Sequence, residues 1–174
     1  MTTNIWLNHL MQDIHSFLGV FSIDTLIDPK IFPSYTIINF SRAKDVGTHF
    51  VSLLFLNKRT CCYFDPLSLP FIPRKIKLYM FANSQNVMKI NFKIQNEMSS
   101  FCGFFCLLPI MLHANNLSIN KGITLVERGL IENDEICIEL LSHLFKMYYY
   151  ERHPFHCDGS TIVEWWSKYY CILI

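Results

Sequence analysis

The sequence predicts an α+β fold, a central mixed sheet flanked by helices. Three observations predict it. Short segments rich in β-branched and aromatic residues fill the middle of the chain, at 35–40, 49–56, 60–64 and 88–94. Apolar residues at helical spacing occupy 5–18 and 133–152. A continuous apolar stretch, 101–114, follows a polar loop and reads as a buried helix. Strands grouped in the middle with helices before and after favour α+β over alternating βα units. At 174 residues the chain suits one domain, 1–174, with an apolar appendage at 159–174.

The elements follow in order. Trp6, Leu7, Leu10, Met11, Ile14 and Leu18 form one stripe of a helix over 5–18, capped by Asn4. Tyr35–Phe40 and His49–Leu56 read as buried strands. Asn57-Lys58-Arg59 is a polar hairpin turn into a strand over Thr60–Phe64. Pro66, Pro70 and Pro73 force an irregular loop, and Pro73 starts a short helix through Tyr79. Met88, Ile90, Phe92 and Ile94 alternate with Lys89, Asn91 and Lys93, so a half-buried strand ends at Gln95. Asn96–Ser100 is a polar loop, and the helix Phe101–Ala114 ends at Asn115-Asn116. The last helix runs from about Asn133 to Arg152, capped by Asn133 or Asp134. Its buried stripe is Ile136, Leu140, Leu141, Leu144, Phe145 and Tyr148.

Composition narrows the classes. A hydrophobic fraction of 51% with 17% charged residues excludes general disorder. A formal net charge of +1 supplies no global basic field for nucleic acid. The longest apolar run, Phe104–Leu112, contains Pro109 and falls far short of the roughly 20 residues of a membrane span. The start, Met-Thr-Thr-Asn, lacks a basic and then apolar leader, which predicts no signal peptide. Seven cysteines without such a leader point to reduced thiols and an intracellular location.

Cys102 carries the chemistry. It sits between the polar loop and the apolar helix, where unpaired N–H groups and the helix dipole favour a thiolate and can also hold an oxyanion. Gly103 beside it leaves room for a substrate backbone, whereas Cys106 only packs. A thiolate needs a base, and His49 opens a rigid apolar strand after Gly47-Thr48. Asp65 ends the strand that the hairpin pairs with that of His49. The turn brings its carboxylate alongside the imidazole as orienter. Gln95, seven residues before Cys102, can donate a neutral side-chain N–H to the oxyanion. Each residue also has an ordinary structural reading: packed thiol, strand histidine, turn aspartate, solvated strand end.

The order His49, Asp65, Gln95, Cys102 resembles the cysteine peptidase clan that holds adenovirus protease and the SUMO proteases. Within it the chain looks like the adenovirus protease family. Thr48-His49-Phe50 and Cys62-Tyr63-Phe64-Asp65-Pro66 resemble that family's Gly-Val-His-Trp and Tyr-Leu-Phe-Glu-Pro segments. Cys102-Gly103-Phe104-Phe105-Cys106, with Leu112-His113-Ala114 beyond it, resembles Cys-Gly-Leu-Phe-Cys and Leu-His-Ala. Phe17-Leu18-Gly19 and Glu151-Arg152-His153-Pro154 resemble segments near its two ends, so the likeness covers roughly residues 6–157. The resemblance implies a nucleophile at the N-terminus of a buried helix, with the Cys102 backbone N–H joining Gln95 in the oxyanion hole. It further implies hydrolysis of viral precursor proteins at Gly-containing sites during virion maturation. The source would be an adenovirus-like virus or a virus-like element of the Polinton/Maverick type, and the location the host nucleus and the virion. A peptide or DNA activator is implied too. Three departures stand out: Asp65 replaces Glu, Phe50 replaces the Trp whose ring faces the imidazolium, and Ser84 stands where the family tethers its peptide through a cysteine.

Other readings of the same residues exist. The chemistry equally suits an isopeptidase that removes ubiquitin-like modifiers, although the seven-residue step from Gln95 to Cys102 matches the adenovirus enzyme and not the shorter step usual in SUMO proteases. Cys137, His143, His153, His156 and Cys157 could form a zinc-stabilised binding module, with poor ligand spacing. Trp165-Trp166, Tyr169-Tyr170 and Cys171-Ile172-Leu173-Ile174 form an apolar tail that either packs on the core or meets a partner.

Overall fold

The computed structural model describes residues 4–97, 99–128 and 133–152. Ten elements follow in chain order: α1 (Asn4–Met11), β1 (Phe17–Ser22), β2 (Ser34–Asn39), β3 (Phe50–Asn57), β4 (Thr60–Phe64), α2 (Arg74–Asn83), β5 (Asn86–Ile90), α3 (Cys102–Ala114), α4 (Ile119–Arg128) and α5 (Asn133–Arg152). The fold is α+β, as the sequence predicts. The five strands form one sheet in the order β1-β2-β3-β4-β5. The outer pairs, β1/β2 and β4/β5, are parallel and the inner pairs antiparallel, so the sheet is mixed.

The tightest connection is the β3–β4 hairpin. Asn57 Oδ1 accepts the N–H groups of Arg59 (2.8 Å) and Thr60 (3.0 Å), which closes a two-residue turn at Lys58-Arg59. Both strands are buried on both faces, because side chains of alternate parity enter different cores. Phe50, Leu54, Cys62 and Phe64 join the larger core beneath α1, α3, α4 and α5. Val51, Leu53, Phe55, Cys61 and Tyr63 join the smaller core, with Ile76 and Met80 of α2. The result is helices on both sides of one sheet.

α3 is the central helix, with every residue from Gly103 to Leu112 buried. Ser99, just before α3, bonds Asp134 at the start of α5, and Asn115, at its end, bonds the Leu144 carbonyl late in α5. The two helices therefore run side by side in the same direction, which brings the start of α5 to the start of α3. α4 crosses α3 at Gly122, where a Cβ would lie 2.4 Å from Leu112 Cδ1, so glycine permits the close approach.

Several elements differ from expectation. The first helix stops at Met11 rather than Leu18, and Asn4 is its first residue rather than its cap. Ser16 adopts φ 69°, and Phe17–Ser22 then pairs with β2, so tertiary pairing overrides the apolar helical spacing. β5 stops at Ile90 rather than Gln95, because its partner β4 ends at Phe64, opposite Ile90. Met88 lies on the same face as Ile90 yet is 56% exposed, since β5 is an edge strand that no described residue covers there. The short helix after Pro73 extends to Asn83 rather than Tyr79. The sequence reading did not include α4; Ile119, Ile123 and Val126 stand at helical spacing there, but Gly122 interrupts the pattern. α5 spans the expected Asn133–Arg152, with Ile136 and Leu140 at the margin of its buried stripe and Cys137 inside it. The appendage at 159–174 lies outside the described residues.

Candidate active site

His49 immediately precedes β3, at the end of a loop that Asn39 organises. Asn39, buried at the end of β2, accepts through Oδ1 from the N–H groups of Ser41 (3.0 Å) and Thr48 (3.4 Å). Ser41 Oγ meets Thr48 Oγ1 at 3.1 Å, and Phe40 N–H donates to the His49 carbonyl at 2.9 Å. The loop is thus pinned at both ends beside the imidazole. Gly47 is required here: a Cβ would lie 2.5 Å from Asn39 Nδ2. Gly47→Ala is expected to displace that amide and cost about 1–3 kcal/mol, read as a lower denaturant midpoint at unchanged slope.

Asp65 follows β4 and is wholly buried. Its Oδ1 meets His49 Nε2 at 2.8 Å, the contact the hairpin predicts. The same oxygen accepts Leu67 N–H (3.0 Å), and Oδ2 accepts Leu69 N–H (3.3 Å). Its own loop therefore holds the carboxylate, and Lys89 Nζ ties that loop to β5 through the Leu69 carbonyl. With Nε2 engaged by Asp65, Nδ1 is the nitrogen left for Cys102, which lines the same cleft. Burial by itself pulls the imidazole pKa down. Asp65, through its hydrogen bond and negative charge, and Cys102 nearby outweigh burial and raise it from 6.5 to about 9. Phe40, not Phe50, is the ring packed edge-on at His49, with centroids 5.0 Å apart; Phe50 joins the larger core.

Gln95 is held by the peptide that follows Asp65. The Pro66 carbonyl accepts the N–H groups of both Ile94 and Gln95 at 3.0 Å. These bonds replace the strand pairing expected for 91–95. The Gln95 side chain is buried; its Nε2 donates to the Ser99 carbonyl at 2.8 Å, and its Oε1 has no hydrogen-bond partner among the described residues. A carbonyl only accepts, so this bond fixes which end of the amide faces Ser99. It also leaves a second N–H on the same nitrogen.

Cys102 is the first residue of α3 and is partly exposed. Phe101 occupies the cap position without a side-chain bond to the helix, so the first N–H groups of α3 have no capping oxygen from it. Cys106 is fully buried one turn on. Burial first, then the charges of Cys102 and Asp65, push its thiol well above the ordinary range and keep it protonated.

His49, Gln95 and Cys102 line one cleft of about 540 Å³, walled by Asp45–Gly47 on one side and Ser99-Ser100 on the other. All four sequence-predicted residues are therefore neighbours: Asp65 behind His49, Gln95 and Cys102 across the cleft. Sequence reasoning missed Asn39, Pro66, Ser99 and Asp134. Only Asn39 gave a signal, as a polar residue closing an apolar strand. Among the described residues no group of three or more His, Cys, Asp or Glu could hold a metal ion. Of the zinc candidates, Cys137 is buried and His143 exposed on α5, while His153, His156 and Cys157 lie outside the described residues. No helix of the described residues is long and apolar enough to cross a membrane.

No protein-family model matches the chain, and no curated protein sequence matches it. Among solved structures it is similar to the crystal structure of the selenomethionine ASFV pS273R protease, at 17% sequence identity and a TM-score of 0.42. The alignment covers 71% of this chain and 45% of that one, so this chain spans less than half the length of the protease it resembles.

Proposed function

We propose that the protein is a cysteine endopeptidase. The observation that carries the reading is the buried His49–Asp65 pair at 2.8 Å, with Cys102 lining the same open cleft as His49. A carboxylate, an imidazole and a thiol in series make an activated nucleophile. In this mechanism the Cys102 thiolate attacks the peptide carbonyl carbon while imidazolium stands at Nδ1. The oxygen that becomes negative is held by the Cys102 backbone N–H and the second N–H of Gln95 Nε2. Collapse breaks the C–N bond, and His49 gives its proton to the leaving amine. Neutral His49 then takes a proton from water, which attacks the thioester. Collapse breaks the C–S bond, the acid product leaves, and the Cys102 thiolate is regenerated beside imidazolium.

The resemblance to adenovirus protease extends this proposal to Gly-containing bonds in precursor proteins of a virus or virus-like element, and to polypeptide substrates in general. Activation by a peptide or by DNA belongs to the same extension. Of the two, a covalently tethered peptide has the weaker basis, because no cysteine lies between Cys62 and Cys102. The test is a peptide library rich in internal Gly-Gly and Gly-X bonds, with products identified by mass spectrometry. Cleavage restricted to such bonds supports the reading; cleavage elsewhere, or cleavage that persists in Cys102→Ala, contradicts it.

A further inference from the structure

Gln95 can serve an oxyanion only if its amide is held with Nε2 at the cleft. Its bond to the Ser99 carbonyl does this, but the described residues on either side of it, 95–97 and 99–101, are neither helix nor strand and need an anchor beyond them. Ser99 supplies it through a second atom. Its Oγ donates to Asp134 Oδ1 at 2.9 Å and accepts Phe101 N–H at 3.2 Å. One side chain therefore links three things: the carbonyl that orients Gln95, the residue that caps α3 before Cys102, and a carboxylate on α5. Asp134 sits in the first turn of α5, a helix tied along α3 by Asn115 at its far end. Its position is set by the helix pair and not by the loop it holds.

We infer that Asp134, acting through Ser99, is a positioning residue for the oxyanion donor Gln95. The inference rests on the proposed roles of Cys102 and Gln95. The direction of each bond is fixed by chemistry. An ionised carboxylate only accepts, so the Ser99 hydroxyl proton points to Asp134 and its lone pairs face Phe101 N–H. Without the acceptor on α5 the Ser99 hydroxyl loses its anchor outside the loop, the Ser99 peptide keeps only its N–H bond to the Asn96 carbonyl (3.0 Å) within it, and the Gln95 amide is less firmly oriented. Displacement of a catalytic group by about 1 Å can cost on the order of a hundredfold in rate. The His49–Asp65 pair is held by bonds of its own, and Cys102 is carried by the buried helix α3, so neither hangs on the relay. The relay should therefore affect steps that form an oxyanion and spare steps that do not.

Two small probes separate these steps. p-Nitrophenyl acetate acylates a thiolate through an oxyanion, and iodoacetamide alkylates it by displacement without one. The expected result is acylation of Asp134→Ala and Ser99→Ala slowed about tenfold to a hundredfold, with alkylation changed less than about twofold. Asp134→Asn, which keeps the accepting oxygen but not the charge, should restore acylation. Gln95→Ala should be slowed at least as much, and Asp134→Ala in that background should add nothing. Slow acylation in Gln95→Ala with normal acylation in Asp134→Ala overturns the relay and leaves the role of Gln95 intact. Normal acylation in both removes the role of Gln95, and the relay with it. Equal loss of acylation and alkylation, or no recovery in Asp134→Asn, assigns Asp134 a purely structural part and also overturns the inference. Where Asp134→Ala does not fold, Ser99→Ala with the Asn variant gives the same decision.

Discussion

Replacing Cys102 by alanine is expected to reduce peptide hydrolysis at least about 10⁴-fold and leave the fold intact. The side chain is partly exposed at the start of α3, and the helix beyond it is buried through ten successive residues, so removing one sulfur opens no internal cavity. The loss should fall on kcat, because peptide binding along the cleft uses residues other than the sulfur. Turnover of the Gly-Gly peptide library by wild type and variant checks this, with the denaturant midpoint measured beside it. A variant that retains a tenth or more of the activity would mean that another group performs the attack. The remaining described cysteines are poor substitutes. Cys61, Cys106 and Cys137 are buried in apolar surroundings that push their thiols up, and Cys62 is buried in β4.

Asp65→Asn is expected to lower the rate about 10²- to 10⁴-fold and to shift its pH dependence. The amide removes the negative charge that helps to raise His49 to about 9. Burial, which pulls the imidazole down, is then less opposed, and the alkaline limb of kcat/KM should move from near pH 9 to lower pH by at least about one unit. The sign for stability follows from the same shift. His49 is raised above its unfolded value, so its contribution is complete below about 6.5 and is lost as pH rises through about 9. Wild type should exceed Asp65→Asn in stability most clearly below about pH 6.5, with the gap narrowing toward pH 9. Titration of the His49 ring by NMR in both proteins checks the first effect, and denaturation at several pH values the second. An unchanged His49 titration in Asp65→Asn would remove Asp65 from its orienting role.

How much of this was legible depended on range. The His49–Asp65 contact could be read because a two-residue turn fixes the register of adjacent strands, and Ser52 and Phe64 do lie opposite each other just inside the site. The apolar helix from Cys102 could be read because it contains the longest apolar run of the chain, Phe104–Leu112. The approach of Cys102 to His49 could not. It depends on how α3 lies across the sheet, and only resemblance suggested it. At both ends of the sheet, local pattern misled where pairing decided. Phe17–Ser22 continues a helical stripe but finds β2 beside it, and Phe92–Ile94 continues a strand pattern but finds no partner beyond Phe64. The link from Asp134 to Ser99 spans 35 positions and joins two polar residues of common type. No periodicity marks such a pair.

The central claim is that Cys102 is a nucleophile activated by His49. Site-mapped alkylation tests it without knowledge of the substrate. Wild type and His49→Ala would be treated with limiting iodoacetamide at about pH 6, and the modified cysteines identified by mass spectrometry. The account predicts that Cys102 is modified ahead of every other cysteine in wild type, and about tenfold or more slowly once His49 is gone. Equal rates for Cys102 in the two proteins would contradict it.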